Sequence, residues 1–326
     1  MSAQSMSGPA LQASPAARWL WPAAALALAI LPFFGNDYHV TVAVNLCITL
    51  ILTLSLNFVV GFSGQFQLSH VAFFGAGAYV SAIVATRLGL SPWLGLPCAM
   101  AVVGLLAAFI GLPSSRLKGL YLAVATLSFS LFVEVVVNQG GPLTGGGYGI
   151  QDIPAAYFFG IKLSGRTFYV LVLVGLAAAY LVLQNVLNSK LGREVIATRD
   201  HPDAAAASGI NPAMMRLVAL IIAAVLAAAA GWLHTFYHLS INPGLLSPEW
   251  TFVWFFMVLV GGIGHTGGVI LGTLLLTLVP EFLGFAAGQT ILGIGVLMVL
   301  VTLFAPRGLG GLIEDAARRW KGESAV

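Results

Sequence analysis

Charge is what this chain has least of: 8% of its 326 residues are Asp, Glu, Lys or Arg, while 59% are hydrophobic and the mean hydropathy is +0.96. Too few charges are present to clothe a soluble domain of that size, so the solvent for most of the chain is lipid. Cysteine is almost as scarce. Cys47 and Cys98 lie singly inside apolar runs, which excludes a disulfide framework or thiolate metal site and leaves them as packing residues. Nucleotide chemistry is missing too: none of the four lysines follows a suitable glycine with a hydroxyl residue after it, so the phosphate-binding pattern Gly, four residues, Gly-Lys-Ser/Thr does not occur. His-Glu-x-x-His and Gly-x-Ser-x-Gly are absent, and the six histidines are scattered. No catalytic residue, metal site or bound cofactor is therefore expected on this chain, and no nucleic-acid partner. If a chain of this kind moves a solute uphill, the energy has to come from an ion gradient or another subunit.

An ion-coupled carrier needs ionisable groups inside the bilayer, where they are costly and tend to be functional. The candidates here are His70, Glu134, His234 and Glu281. Glu134 stands within a turn of the outer end of its span with Asn138 four residues on, so snorkelling or a local hydrogen bond accounts for it. A proton or sodium relay has little to work with.

What is present is a series of apolar runs. They predict an all-α polytopic membrane protein of about 8–10 spans, read as 19–34, 40–60, 71–86, 92–112, 120–137, 168–187, 217–237, 250–261, 267–285 and 290–304. Residues 1–18 are expected to form a disordered cytoplasmic tail, 19–306 the transmembrane domain and 307–326 a cytoplasmic C-terminal tail. The stretch 138–167, which contains GGPLTGGGYGIQDIP, is too glycine-rich for a helix and reads as an external loop. With the N-terminus inside, Arg18, Arg116, Lys118, Lys190, Arg193, Arg199, Arg216, Arg307, Arg318, Arg319 and Lys321 fall inside, whereas only Arg87, Lys162 and Arg166 fall outside. Positive residues mark the cytoplasmic side, so both termini and the polar stretch 188–216 are expected there.

Two interruptions of the apolar pattern are the candidate functional segments. The first, GFSGQFQLSH at 61–70, is either a surface turn or a broken helix lining a pathway, because irregular backbone at membrane depth needs protein or a wet cavity around it. Ser63, Gln65, Gln67, Ser69 and His70 could serve the charged ends of a zwitterion there, or could satisfy backbone and neighbouring helices. The second is 188–216. Leu191, Val195 and Ile196 share one face of a short helix. Asp200 is then expected to cap a second helix, with Pro202 in its first turn, Asp203 at the capping-box position and 204–207 as its body. Gly209 ends it in the left-handed region, and Asn211 with Pro212 restarts the next span. Such a helix, stop and restart unit is either a docking surface or an ordinary loop. Small residues recur at Gly264, Gly268 and Gly272, at Gly75 and Ala78 and at Gly77 and Ser81, as close helix crossings require. Val60, Gly61, Gly64 and Gln65 also resemble Val260, Gly261, Gly264 and His265, a hint of internal duplication.

Five blocks in order carry a family resemblance: LSLNFVVGFSGQFQLSHVAFFGAGAY from Leu54, LKGLYLAVATLSF from Leu117, LTGGGYGIQDIP from Leu143, LGREVIATRDHPDAAAASGIN from Leu191, and VGGIGHTGGVILG from Val260 with APRGLGGL from Ala305. In this register the chain resembles, over nearly its whole length after the N-terminal tail, the LivM-type permease subunits of bacterial ABC importers for branched-chain amino acids. The resemblance implies an ABC-importer permease fold in the bacterial inner membrane, a second permease subunit of the same or a related kind, and a periplasmic substrate-binding protein. It also implies two ABC ATPase subunits, which hold the ATP and Mg. Within it, Arg193, Glu194, Arg199, Asp200, Asp203, Ala206, Gly209 and Ile210 fall in the loop that docks on the ATPase, with 200–208 as the coupling helix. Departures occur where the family usually has Glu and Arg in place of Leu131 and Glu134. Others fall where it commonly has Glu and a basic residue in place of Pro202 and Ile196, and Ser and Gly in place of Gln67 and Ser69. Related urea permeases usually have Leu where Gln65 stands, so Gln65 favours an amino acid. The expected function is a permease subunit of an ATP-driven importer for branched-chain or hydrophobic amino acids. The same machine serving urea, amides or another small carboxylate, and a carrier or channel acting alone, stay open as alternatives.

Overall fold

The computed structural model describes residues 36–115, 117, 119–158, 160–282, 295 and 308–311. The expected spans 19–34 and 290–304 apart from 295, the tails 1–18 and 307–326 apart from 308–311, and Arg116 and Lys118 of the charge count lie outside the described residues.

Helix α1 (Asp37–Asn57) is the axis of the bundle. Together with the π-helical turn Phe58–Phe62 it forms a 26-residue apolar rod, 83% buried over its most apolar window, where the other four long helices are 22–44% buried. Those are α3 (Pro92–Ser114), α4 (Leu120–Gln139), α5 (Arg166–Asn188) and α8 (Pro212–His238), each long and apolar enough to cross a membrane. Shorter apolar helices α2 (His70–Thr86), α9 (Pro248–Gly261) and α10 (Thr266–Phe282) complete the bundle. Between α5 and α8 stand two short helices, α6 (Lys190–Asp200) and α7 (Pro202–Ala207). Runs of Leu, Ile, Val and Ala form helices because lipid offers no partner to a free backbone amide, so each span must satisfy its own.

The small residues act as the pattern predicted. A Cβ on Gly77 of α2 would stand 2.5 Å from the Ala228 Cα of α8, and one on Gly231 of α8 would meet the Phe74 carbonyl of α2. The two helices therefore touch backbone to backbone, the mode of association available where burial of apolar surface gives no drive. Trp232, itself buried, ties the crossing to α3: its indole Nε1 donates to the Pro92 carbonyl at 2.8 Å and its ring lies 5.4 Å from that of Trp93. On the other flank Gly272 of α10 leaves room for the Met257 carbonyl of α9, 2.6 Å from where a Cβ would be, and Gly261 faces Val269 and Gly268 as closely.

The glycine-rich stretch after α4 forms no long helix. It makes a 3-10 turn (Gly146–Tyr148) and a two-residue hairpin of β1 (Tyr157–Phe158) and β2 (Ile161–Lys162). Ile150 and Ile241 exchange backbone hydrogen bonds at 2.9 Å, and Ile153 N–H donates to the Leu239 carbonyl at 3.0 Å. This loop is thus stitched to the C-terminal end of α8, at the opposite end of the bundle from α6 and α7.

Candidate functional site

The α geometry of α1 fails at Phe58 and the chain leaves the helix after Phe62. Gly64 then sits at φ +69°, and residues 63–69 cross the bundle without regular structure until α2 begins at His70. Ser63, Gln65, Gln67, Ser69 and His70 are all at most 5% exposed. Of the two readings of 61–70, the broken helix is therefore the one realised, since a surface turn would expose these side chains.

Irregular backbone at this depth needs polar partners, and neighbouring helices supply them. Thr126 and Ser130, one turn apart on α4, hold Leu68 at both ends: its N–H donates to Thr126 Oγ1 at 3.1 Å and its carbonyl accepts from Ser130 Oγ at 3.0 Å. Gln65 Nε2 donates to Ser63 Oγ at 2.8 Å and to the Arg216 carbonyl of α8 at 2.9 Å. The Gln67 amide donates to Ser69 Oγ, and His70 Nε2 lies 2.9 Å from Ser55 Oγ of α1. Two buried atoms, Gln67 Oε1 and His70 Nδ1, have no hydrogen-bond partner among the described residues. Phe66 turns the other way, 42% exposed and edge-on to Phe255 of α9 with ring centroids 4.8 Å apart. The five predicted polar residues are thus brought to one segment, though in local pairs rather than around a common point. Thr126, Ser130, Ser55 and Phe255 are the residues that sequence reasoning missed, and no local signal marks them, since each lies far along the chain from what it holds.

Gln65→Leu would leave the Arg216 carbonyl and the Ser63 hydroxyl without their donor, at about 1–3 kcal/mol for a buried group so stranded. The expected result is a lower thermal midpoint of the purified protein; an unchanged midpoint would mean that neither bond holds the segment.

A second polar unit closes the same end of the bundle. Ser189 caps α6, its hydroxyl accepting from Gly192 N–H at 3.4 Å, and Val195 and Thr198 are buried with Leu191 and Ile196 half-buried beside them. Helix α7 starts one residue later than expected: its cap is His201, at φ −141° and ψ 76°, while Asp200 is the last residue of α6. Pro202 explains the shift, because a proline ring drives the preceding residue out of the helical region. The Asp200 carboxylate lies 3.6 Å from Arg199 Nε instead of over the helix start. Gly209 takes φ +85° as predicted, and Ile210 N–H and Gly209 N–H close on the Ala205 and Ala206 carbonyls at 3.0 Å, a Schellman ending. Asn211 Oδ1 accepts from Ala213 and Met214 at 3.1 and 3.2 Å, with Pro212 as the first residue of α8.

The predicted coupling residues divide. Asp203, Ala206 and Gly209 lie exposed along α7 and its end, with Ala204 and Ala207 exposed beside them, Ile210 half-buried and Ala205 turned inward. Arg193 is exposed and bonds the Asn188 carbonyl at 3.1 Å, and Glu194 lies 3.7 Å from Lys190 within α6. Arg199 reaches into the bundle, where Nη1 donates to the Gly61 carbonyl at 2.6 Å. The two resembling segments also meet: a Cβ on Gly61 would lie 2.5 Å from the Gly264 nitrogen, which itself donates to Asn57 Oδ1 at 2.9 Å.

The remaining ionisable candidates are dispersed. The Glu134 carbonyl accepts from Asn138 Nδ2 at 3.2 Å, Glu281 accepts from the Tyr38 hydroxyl, and the His234 ring packs on Phe74 and His238. Among the described residues no three His, Cys, Asp or Glu side chains gather as a cation cluster would require.

A multi-pass all-α bundle with a broken, polar-lined helix and an exposed capped helix at one end has the architecture of a membrane permease. The family profile of the branched-chain amino acid transport system permease component matches residues 38–305, and the chain belongs to that family. It is similar to the high-affinity branched-chain amino acid transport system permease proteins LivM of Salmonella typhimurium and Escherichia coli, at 31% and 32% identity, each over 92% of this chain and 77% of the relative. The probable branched-chain amino acid transport permease protein LivM of Methanocaldococcus jannaschii is 32% identical over 64% of both chains. No solved structure matches.

Proposed function

We propose that this chain is the membrane permease subunit of an ATP-driven ABC importer for branched-chain or hydrophobic amino acids in a bacterial inner membrane. Its termini and the 188–216 unit face the cytoplasm. Partner ATPase subunits hold ATP and Mg beneath α7, a second permease copy or relative completes the pathway, and a periplasmic binding protein delivers the substrate. The observation that carries the reading is α7 itself: a capped helix with a face of exposed alanines, held by the bundle through α6. Alanines let a partner approach the helix backbone closely, and nothing on that face serves the chain's own core. The dispersed ionisable groups speak against a carrier driven by an ion gradient. The polar segment 63–69, where the buried Gln67 Oε1 and His70 Nδ1 have no hydrogen-bond partner among the described residues, is the part of the pathway suited to a zwitterion with an apolar side chain.

The test is reconstitution with the partner subunits and a photocrosslinker at Ala206. Crosslinks to the ATPase, with labelled leucine uptake that requires ATP hydrolysis, are expected. Uptake by this chain alone in proteoliposomes, driven by a proton or sodium gradient, would overturn the assignment.

A further inference from the structure

We propose that Arg199 is the positioning residue that joins the 190–210 unit to both glycine breaks of the bundle, so that displacement of α7 reaches the membrane helices through its guanidinium. This rests on the reading of α7 as the ATPase docking helix.

One hydrogen bond and two neighbouring left-handed glycines converge on the side chain. At the end of the π turn, Ser63 N–H and Gln65 N–H return to the Phe58 and Val59 carbonyls at 3.1 Å, which leaves the Gly61 carbonyl to Arg199 Nη1 at 2.6 Å. The cation therefore caps the C-terminal end of the central helix, where carbonyls lack partners and the helix dipole favours positive charge. The aliphatic stem packs on Gly64: a Cβ there would come within 2.8 Å of Arg199 Cγ, so the left-handed glycine is the surface on which the stem lies. Across the gap is the second break, Gly264 at φ +83°, where an added Cβ would lie 3.5 Å from Arg199 Nη1. Asn57 Oδ1 already binds the Gly264 N–H, so the two breaks are tied to each other as well as to the arginine.

The side chain is not there to fill a core. It is 40% exposed, and Val195 and Thr198 already anchor α6. Its position is what sets it apart: Arg199 and Asp200 end α6, and after His201 the exposed helix α7 begins. A π turn and a glycine-flanked break are where a membrane helix can change its hydrogen bonding without losing its fold. A planar guanidinium with several donors can hold a carbonyl and the adjacent turn together, which an ammonium point charge cannot do to the same extent.

The experiment uses the complete complex in proteoliposomes with Arg199→Ala and Arg199→Lys. Retention of the ATPase and its basal hydrolysis should stay within about twofold of the unaltered protein, while leucine taken up per ATP falls about tenfold or more in Arg199→Ala, the scale of one charge-assisted hydrogen bond. Arg199→Lys should recover part of that loss. Independently, spin labels at Ser208→Cys and Ile263→Cys, with Cys47 and Cys98 replaced by Ala, report whether the unit and the second break move as one body. With Arg199 present their separation should be the same without nucleotide and in the vanadate-trapped state, and in Arg199→Ala it should differ between the two. Uptake per ATP unchanged in Arg199→Ala, loss of the ATPase from that variant, or a separation that changes equally in both proteins would each overturn the proposal. If the unaltered complex fails to retain an ATPase, the docking reading of α7 is what has failed.

Discussion

Gly61→Val is expected to abolish transport and to lower the yield of folded protein, while Gly267→Ala, only a few residues from its contact point, should be close to neutral. A Cβ on Gly61 would run into the Asn57 side chain and come within 2.5 and 2.8 Å of the Gly264 nitrogen and Cα. One obstacle is a helix side chain that is 1% exposed and the other is backbone, so neither can swing aside. Overpacking of this kind costs about 1–3 kcal/mol or more. Displacing Asn57 also removes the acceptor of the Gly264 N–H, at about another 1–3 kcal/mol if that amide is left stranded. Since the same movement would take the Gly61 carbonyl away from Arg199, the connection between α6 and the end of the central helix is lost with the stability. Gly267 has nothing within 4 Å of an added Cβ, and alanine is the better helix former. The measurement is the thermal midpoint of detergent-purified protein alongside uptake. Equal midpoints for the two variants would mean that the packing of the two breaks is far looser than described.

The helices were legible in the sequence because a span in lipid is a local matter: each run satisfies its own backbone and needs only length and hydropathy. The cap at Asn211 and the stop at Gly209 were legible for the same reason, since both depend on residues within one turn. The start of α7 falls on His201 and not on Asp200, because the restriction that Pro202 places on its predecessor outweighs a good capping side chain. What could not be read was the joint between the two breaks. Arg199 meets a carbonyl 138 positions away and Asn57 an amide 207 positions away, and composition says nothing about which arginine in a basic loop turns inward. The resemblance of Val60-Gly61 to Val260-Gly261 hinted at related roles, yet the close approach of Gly61 to Gly264 required the folded chain. The polar residues of 63–69 were found from the sequence, whereas Thr126 and Ser130, which hold that segment, sit at helical spacing inside an apolar span and look like ordinary lipid-tolerant residues.

If the proposed function holds, Gly209→Val should leave the protein in the membrane at normal abundance and reduce ATP-driven leucine uptake about tenfold or more. Nothing lies within 4 Å of an added Cβ at Gly209, so the substitution meets no clash, and its whole effect comes from φ +85°. A branched residue held there costs about 1–3 kcal/mol, and the chain relieves the strain by leaving the left-handed region. That movement breaks the closing bonds from Gly209 and Ile210 to Ala206 and Ala205 and re-aims a helix of six residues, too short to hold its shape without its ends. The spans are insulated from the damage, because Asn211 caps α8 independently and α6 is anchored by Val195 and Thr198. Gly61→Val and Gly209→Val therefore separate two failures: the first should lower the thermal midpoint and uptake together, the second uptake alone. Adding Asn211→Ala, which removes the cap of α8 at a cost of about 1 kcal/mol, should bring the loss of stability back. If Gly209→Val instead keeps full uptake with unchanged ATP consumption, α7 is not the element through which the ATPase acts, however well its exposed alanines fit a partner.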